Sequence, residues 1–542
     1  MLSADEVAKV VSEVTGRIID RLGAAPPPGA APGRPLAELI NETLWWEQER
    51  LRDGDENDED LQAERRFYAE IRRALPRVSE GEQLRLLERI VHRYADEIAG
   101  NFNPTVYKLA TKVGPPMLSA LLTGLSPRRL LGAEAIPRLD KHVIVEGEIA
   151  NLGRLHERGT LIVTPTHSSN LDSLVIGYAI HELGLPPLTY GAGLNLFRNP
   201  IVGKFMFNLG AYTVDRRKRD PLYKQTLKEY ATVALEFGQD NLFFPGGTRS
   251  RSGAVERRLK KGLLGCSVAA YRNNLQRRRE RPGVFIVPCT ISYPLVLEAS
   301  TLIDDWLAEA GKSRYIIVDD EFSRWERWLD FLRGVFALDL KIHIRFGQAL
   351  DPFGNVVDGE GRSHDPRGRV IDPRGYLEAD GEVVEDPIRD AEYTRALEHR
   401  IVGEFERENV IHSTHVLAFV CFELLRRSRG PDDLYRFLHV IGPEHSLPLP
   451  EVEDELEACL RELSDWARHD RIRLSEVVAA GDPREVVRTA LRSFGTYHTR
   501  PVLERRGVRL HVGDAKLLFY YRNRLDGYGL RGAPSRVGDR HV

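Results

Sequence analysis

Leu161-Ile162-Val163-Thr164-Pro165-Thr166-His167-Ser168-Ser169-Asn170-Leu171-Asp172 is the stretch on which the reading of this chain turns. Its apolar run reads as a buried strand, and Ser169 or Asn170 is expected to cap a following helix. The histidine then falls where strand becomes helix, with the Asp172 carboxylate on the first turn and within reach of the ring. A general base needs such a pair: an imidazole to accept a proton and an acid to fix its tautomer. Alone, the His-x4-Asp spacing is common in long chains, and packing or capping is the better explanation of it.

Outward from this stretch, strands and helices alternate. Strands are expected at Val143-Ile144-Val145, Thr160 to Pro165, Leu188 to Gly191, Asn241 to Phe244, Val284 to Ser292 and Lys341 to Arg345. Helices are expected between them, for example Pro221 to Phe237 and Lys260 to Arg272. Such alternation predicts an α/β domain on a largely buried sheet, over residues 141–350. Residues 1–35 read as an amphipathic helix, with Val7, Val10, Val11, Val14, Ile18 and Ile19 on one face, followed by an Ala/Pro/Gly linker. Residues 36–140 read as a helical N-terminal region, with patterns through Ile40 to Leu51 and Leu61 to Ile98. Residues 351–388 repeat an Asp-Pro-x-Gly turn at Asp351, Asp365 and Asp372, each aspartate expected as a cap rather than a metal ligand. Residues 389–542 return to helical patterns, including Val410 to Arg427 and Val452 to Arg468.

The chain has 542 residues, too many for one ordinary core. Cys266, Cys289, Cys421 and Cys459 lie far apart, with no Cys-x-x-Cys pair, which argues against a disulfide framework or structural zinc and fits a reducing compartment. The charged first residues predict no secretory signal, and no stretch reaches bilayer-spanning length. The net charge is −3, yet residues 191–285 hold 19 Lys and Arg against 7 Asp and Glu. That excess suits a phosphate-bearing substrate, an acidic carrier protein or an anionic membrane surface. Nucleic acid is not expected, because aromatic stacking platforms are not evident.

Three further blocks follow the His-x4-Asp pair: Gly210-Ala211-Tyr212-Thr213-Val214-Asp215-Arg216, Phe244-Pro245-Gly246-Gly247-Thr248-Arg249-Ser250-Arg251-Ser252-Gly253, and Val287-Pro288-Cys289-Thr290-Ile291-Ser292-Tyr293. In this order the blocks resemble those of the glycerolipid acyltransferases. Gly191-Ala192-Gly193-Leu194-Asn195-Leu196 and Leu222-Tyr223-Lys224 resemble the glycerol-3-phosphate acyltransferase branch in particular. The likeness is specific over roughly residues 140 to 300. It departs at Gly246, where the family block has glutamate, and at Asp215, where the branch often has arginine and the lysophosphatidic acid acyltransferases often have aspartate.

The resemblance implies an acyltransferase-type sheet flanked by helices. It implies transfer of a fatty acyl group from an acyl-CoA or acyl carrier protein thioester to the sn-1 hydroxyl of glycerol 3-phosphate, giving lysophosphatidic acid. Other readings are acylation of lysophosphatidic acid, or an inactive lipid-binding homologue lacking the motif glutamate. His167 is the expected base and Asp172 its orienting acid. Arg216 and Arg249 are the expected phosphate ligands, because guanidinium forks bind phosphate oxygens bidentately. Arg251 and Lys204 are further candidates. Gly246, Gly247, Thr248, Ser250 and Pro288 are expected to support the motifs, the two glycines letting backbone N–H groups approach an anion. No Gly-x-Ser-x-Gly elbow occurs, so direct transfer without a serine acyl-enzyme is expected. No metal and no cofactor beyond the thioester co-substrate is called for. The expected location is peripheral, on the cytoplasmic face of a bacterial cell membrane.

Overall fold

The run that opens the reading forms a strand, Gly159–Pro165, buried along its whole length. Its neighbours on both sides in the sheet explain why every position is apolar or hydrogen-bonded inward: buried parallel strands have no solvent face to alternate with. The computed structural model describes residues 4–24, 34–52, 59–100, 103, 106, 141–193, 210–310, 340–429, 433–495, 498 and 500–530.

Ahead of the sheet come α1 (Ala4–Gly23), α2 (Leu36–Arg52), α3 (Glu59–Ala74) and α4 (Glu80–Ile98). The helical pattern over 61–98 is thus two helices. Pro76 cannot continue α3, a 3-10 turn forms at Leu75–Arg77, and Ser79 restarts the chain with its N–H donating to Glu82 Oε2 at 2.8 Å. The sheet region contains β1 (Val143–Gly147), α5 (Leu152–Arg158), β2 (Gly159–Pro165), α6 (Asp172–Glu182), β3 (Thr189–Gly193) and β4 (Ala211–Val214). It continues through α7 (Pro221–Glu236), β5 (Asn241–Leu242), α8 (Lys261–Gln276), β6 (Gly283–Ser292), α9 (Ala299–Ala310) and β7 (Ile342–Phe346). Strand β4 forms from a block read only as a motif, and β5 stops two residues short of Phe244.

The seven strands run in the order β1-β7-β6-β2-β5-β3-β4. All neighbours are parallel except β6 and β7. In register, Pro165 stands opposite Cys289 and Ile162 opposite Asn241. The expected α/β class with a sheet flanked by helices is therefore the observed one.

The Asp-Pro-x-Gly segment forms short β pairs. They are β8 (Val356–Val357), β9 (Ser363–His364) and β10 (Val370–Ile371) in one sheet, with β11 (Glu378–Ala379) and β12 (Glu382–Val383) in another. Each repeated aspartate caps its own turn. Oδ1 of Asp351 accepts from Phe353 N at 2.9 Å, that of Asp365 from Arg367 N at 2.8 Å, and that of Asp372 from Arg374 N at 3.0 Å.

Beyond it lie α10 (Pro387–Glu408), β13 (Val410–Ile411), α11 (Ser413–Arg429), α12 (Leu434–Val440), β14 (Ser446–Pro448), α13 (Leu449–Arg468) and β15 (Arg473–Leu474). The last described elements are α14 (Glu476–Ala479), α15 (Pro483–Phe494), β16 (Leu503–Arg506), β17 (Arg509–Val512) and α16 (Ala515–Arg522). This region is mainly helical, but β14, β17 and β16 add a small antiparallel sheet that the helical patterns did not announce. Helices α11 and α16 pack together and share one apolar core with β2, β6 and β7. A second core joins α1–α4 to Tyr212 of β4 and to Leu222, Tyr230 and Val233 of α7.

Candidate active site

Open parallel sheets place reactive groups beyond the carboxyl ends of their strands, where chain leaves strand for helix. His167 lies two residues past β2, Arg216 two past β4, the Phe244–Arg251 turn beyond β5, and Tyr293 directly after β6.

His167 Nδ1 is 2.8 Å from Asp172 Oδ2, and the histidine side chain is 20% exposed while that of Asp172 is fully buried. The same carboxylate accepts from Ser168 N at 2.6 Å, Ser169 N at 2.9 Å and the Tyr293 hydroxyl at 2.7 Å. Such saturation fixes the carboxylate and, through it, the Nδ1–H tautomer, which leaves Nε2 as the ring's proton-accepting atom. The imidazole stacks on Phe244, with ring centroids 4.2 Å apart.

The expected cap did not form on Ser169 or Asn170. Leu171 holds the N-cap position of α6 without a side-chain cap, and Asp172 at the first helical position reaches back to the preceding N–H groups. Ser169 is engaged elsewhere: its Oγ donates to Glu298 Oε2 at 3.0 Å. An anionic side chain at a helix N-terminus is favoured by the helix dipole, which makes this reversed arrangement stable.

The arginine turn wraps the histidine. Ser250 N donates to His167 O at 2.7 Å, and Gly247 takes φ +78°, a conformation that glycine adopts without strain. Arg216 Nη2 donates to Gly247 O at 2.6 Å, so both expected phosphate ligands converge on one turn. Arg249 Nη1 lies 3.5 Å from Glu298 Oε1, which also accepts from Asn170 N at 2.9 Å. Arg251 instead pairs with Glu309 of α9. Thr248 sits within the turn, and Pro288 lies inside β6, where Gly347 N donates to its carbonyl at 2.8 Å. Lys204 lies outside the described residues. Asp215 does not face outward: its carboxylate binds Arg217 N at 2.9 Å and Arg217 Nε at 3.1 Å.

Sequence reasoning did not single out Tyr293, Glu298, Glu256 or Arg524. Tyr293 ended a quoted block, so its place after a buried strand was the available signal. Glu256 Oε1 accepts from His167 N at 3.2 Å, and burial pushes this carboxyl up to about 8. Arg524, just after α16, is buried against Asn409 Oδ1 at 2.6 Å and Ile291 O at 3.3 Å, and desolvation pulls its pKa down. Together with Tyr520 it lines a small cavity that reaches Ser168 and Tyr293, so the C-terminal region closes the rear of the site.

A histidine–aspartate pair thus lies beyond a mostly parallel sheet, with arginines on the adjoining turn. The model of the acyltransferase family matches residues 146–292, a span that contains His167, Asp172, Arg216 and Arg249. A glycerol-3-phosphate acyltransferase of Aeromonas hydrophila is 31% identical over 223 residues, covering 41% of this chain and 24% of that protein. Similar proteins of the same name occur in Ectopseudomonas mendocina, 28% identical over 46% of this chain and 27% of that protein, and in Xanthomonas axonopodis, 29% identical over 40% and 22%. The match spans about a quarter of the length of these relatives. Residues 146–292 are thus similar to the acyltransferase family, and the surrounding region is similar to part of these glycerol-3-phosphate acyltransferases.

Proposed function

We propose that this protein transfers a fatty acyl group from a thioester donor, acyl-CoA or acyl carrier protein, to the sn-1 hydroxyl of glycerol 3-phosphate. The observation that carries the reading is the 2.8 Å His167–Asp172 pair beside a turn bearing Arg216 and Arg249. His167 Nε2 accepts the hydroxyl proton as the acceptor oxygen attacks the thioester carbonyl. Arg216 and Arg249 hold the acceptor phosphate, with Arg249 exchanging its 3.5 Å contact to Glu298 for the ligand. The tetrahedral adduct then expels the thiolate, which takes the proton from the imidazolium, leaving an ester and a free thiol. Asp215 pairs with the neighbouring Arg217 at 3.1 Å, which supports a structural part for it in this reading.

Membrane contact belongs to the same reading as a peripheral, charge-driven association. No helix of the described residues is long and apolar enough to cross a membrane. Purified full-length protein is to be offered labelled acyl-CoA and acyl carrier protein donors, with glycerol 3-phosphate or lysophosphatidic acid, in anionic vesicles at two salt concentrations. Label in lysophosphatidic acid is the expected result. Label only in phosphatidic acid made from the lysolipid would overturn the acceptor, and no transfer to either would promote the inactive reading.

A further inference from the structure

Gly246 poses a question that its backbone does not answer. Unlike Gly247, it does not adopt a positive φ, so any residue could take its conformation. What a side chain would meet is Glu256: a Cβ added at Gly246 would overlap Glu256 Oε1 and displace that carboxyl group. That oxygen also accepts from the His167 backbone N–H at 3.2 Å. The other carboxyl oxygen, Oε2, is buried with no hydrogen-bond partner among the described residues. Enclosing a carboxyl this way is costly, and no direct ion pair offsets it among the described residues.

We infer that Glu256 is a positioning residue for the candidate base, its carboxyl group occupying the space that Gly246 leaves beside the His167 peptide. The turn holds His167 from both sides of its peptide. Ser250 N donates to its carbonyl at 2.7 Å, and Glu256 accepts from its N–H. Phe244 stacks on the imidazole from the same turn. Gly246 and Glu256 are therefore complementary in space, the glycine leaving room for the carboxyl group. Because the carboxyl is held largely protonated near neutral pH by burial, its acceptor oxygen rather than its charge does the positioning.

This inference rests on the acyl-transfer reading, but one arm of its test does not. Glu256→Met preserves length and removes the acceptor, whereas Glu256→Gln keeps it. Expected for the Met variant is a kcat loss of about 10–100-fold with KM for glycerol 3-phosphate little changed, while the Gln variant stays within about threefold of wild type. A Met variant with wild-type kcat, or a Gln variant as impaired as Met, overturns the assignment. Independently of activity, Gly246→Ala is expected to lower the thermal midpoint in the wild-type background and to leave it unchanged in a Glu256→Ala background. Equal losses in both backgrounds overturn the complementarity. If the wild-type protein transfers acyl groups to no acceptor, the functional reading fails while the thermal cycle still decides the placement of Glu256.

Discussion

The Asp172 carboxylate accepts from His167 Nδ1, two backbone N–H groups and the Tyr293 hydroxyl, so changing it perturbs both a ring and a loop. His167→Ala, by contrast, removes a partly exposed ring and leaves those other bonds intact. Its acyl transfer is expected to fall by about 10²–10⁴-fold with an unchanged melting curve. Asp172→Asn is expected to lose about as much through the wrong tautomer, and also to be destabilised by about 1–3 kcal/mol, because an amide nitrogen would face donors. Single-turnover assays paired with thermal melts separate the two outcomes, and a normally melting, fully active His167→Ala protein would sink the base assignment. The dyad was legible because both members lie in one short stretch and obey local spacing. Glu256 and Glu298 were not, since they reach the same loop from 89 and 129 residues away, a proximity that only the folded sheet creates.

Helix α1 illustrates what periodicity can and cannot disclose at the level of an element. Its apolar face, with Val10, Val11, Val14 and Ile18 buried, was plain from the spacing, but the pattern does not name a partner. The partners are α4 and α7, and the link to α7 is ionic as well as apolar. Arg17 reaches Glu236 Oε2 at 2.6 Å and Glu229 Oε1 at 3.2 Å, with the Glu236 side chain fully buried. Removing one partner of a buried pair costs more than the pair itself contributes, because a charge is left enclosed. Arg17→Ala is therefore expected to cost about 3 kcal/mol, the low end for such a cut, since Glu236 keeps its contact with Asn273. Adding Glu236→Gln should recover part of the loss, measured by denaturant unfolding; a single variant as stable as wild type would refute the coupling. Lys218 makes a similar tie, pairing inward with Glu47 and Glu97 instead of joining Arg216 at the site. A cluster that reads as one basic patch is thus divided between two tasks.

Across the whole molecule, much of the basic excess over residues 191–285 serves internal attachment. Arg257 pairs with Glu406, Lys261 with Glu398, Arg272 with Asp390, and Arg277 with Glu13, so the central domain's cations hold the flanking regions against it. The sum of charges was readable from the sequence, whereas their pairing depended on which surfaces meet. Buried titratable groups give the assembly a two-sided pH response. Glu256 has an ordinary value of 4.5 and is raised by burial to about 8, so between these limits the folded state binds a proton that the unfolded chain has released. Stability from this group is present at low pH and declines as pH rises through that window. His412 and His415 act in the opposite sense. Desolvation lowers both from 6.5, so below that value the unfolded chain binds protons that the folded state refuses, and stability falls on acidification. Urea unfolding at a series of pH values should therefore show a decline from about pH 6.5 toward pH 8, where only the carboxyl of these three titrates. Glu256→Gln, which cannot ionise, is expected to flatten that alkaline limb and leave the acid limb in place. If the alkaline decline survives unchanged in the variant, the enclosed carboxyl is not its source.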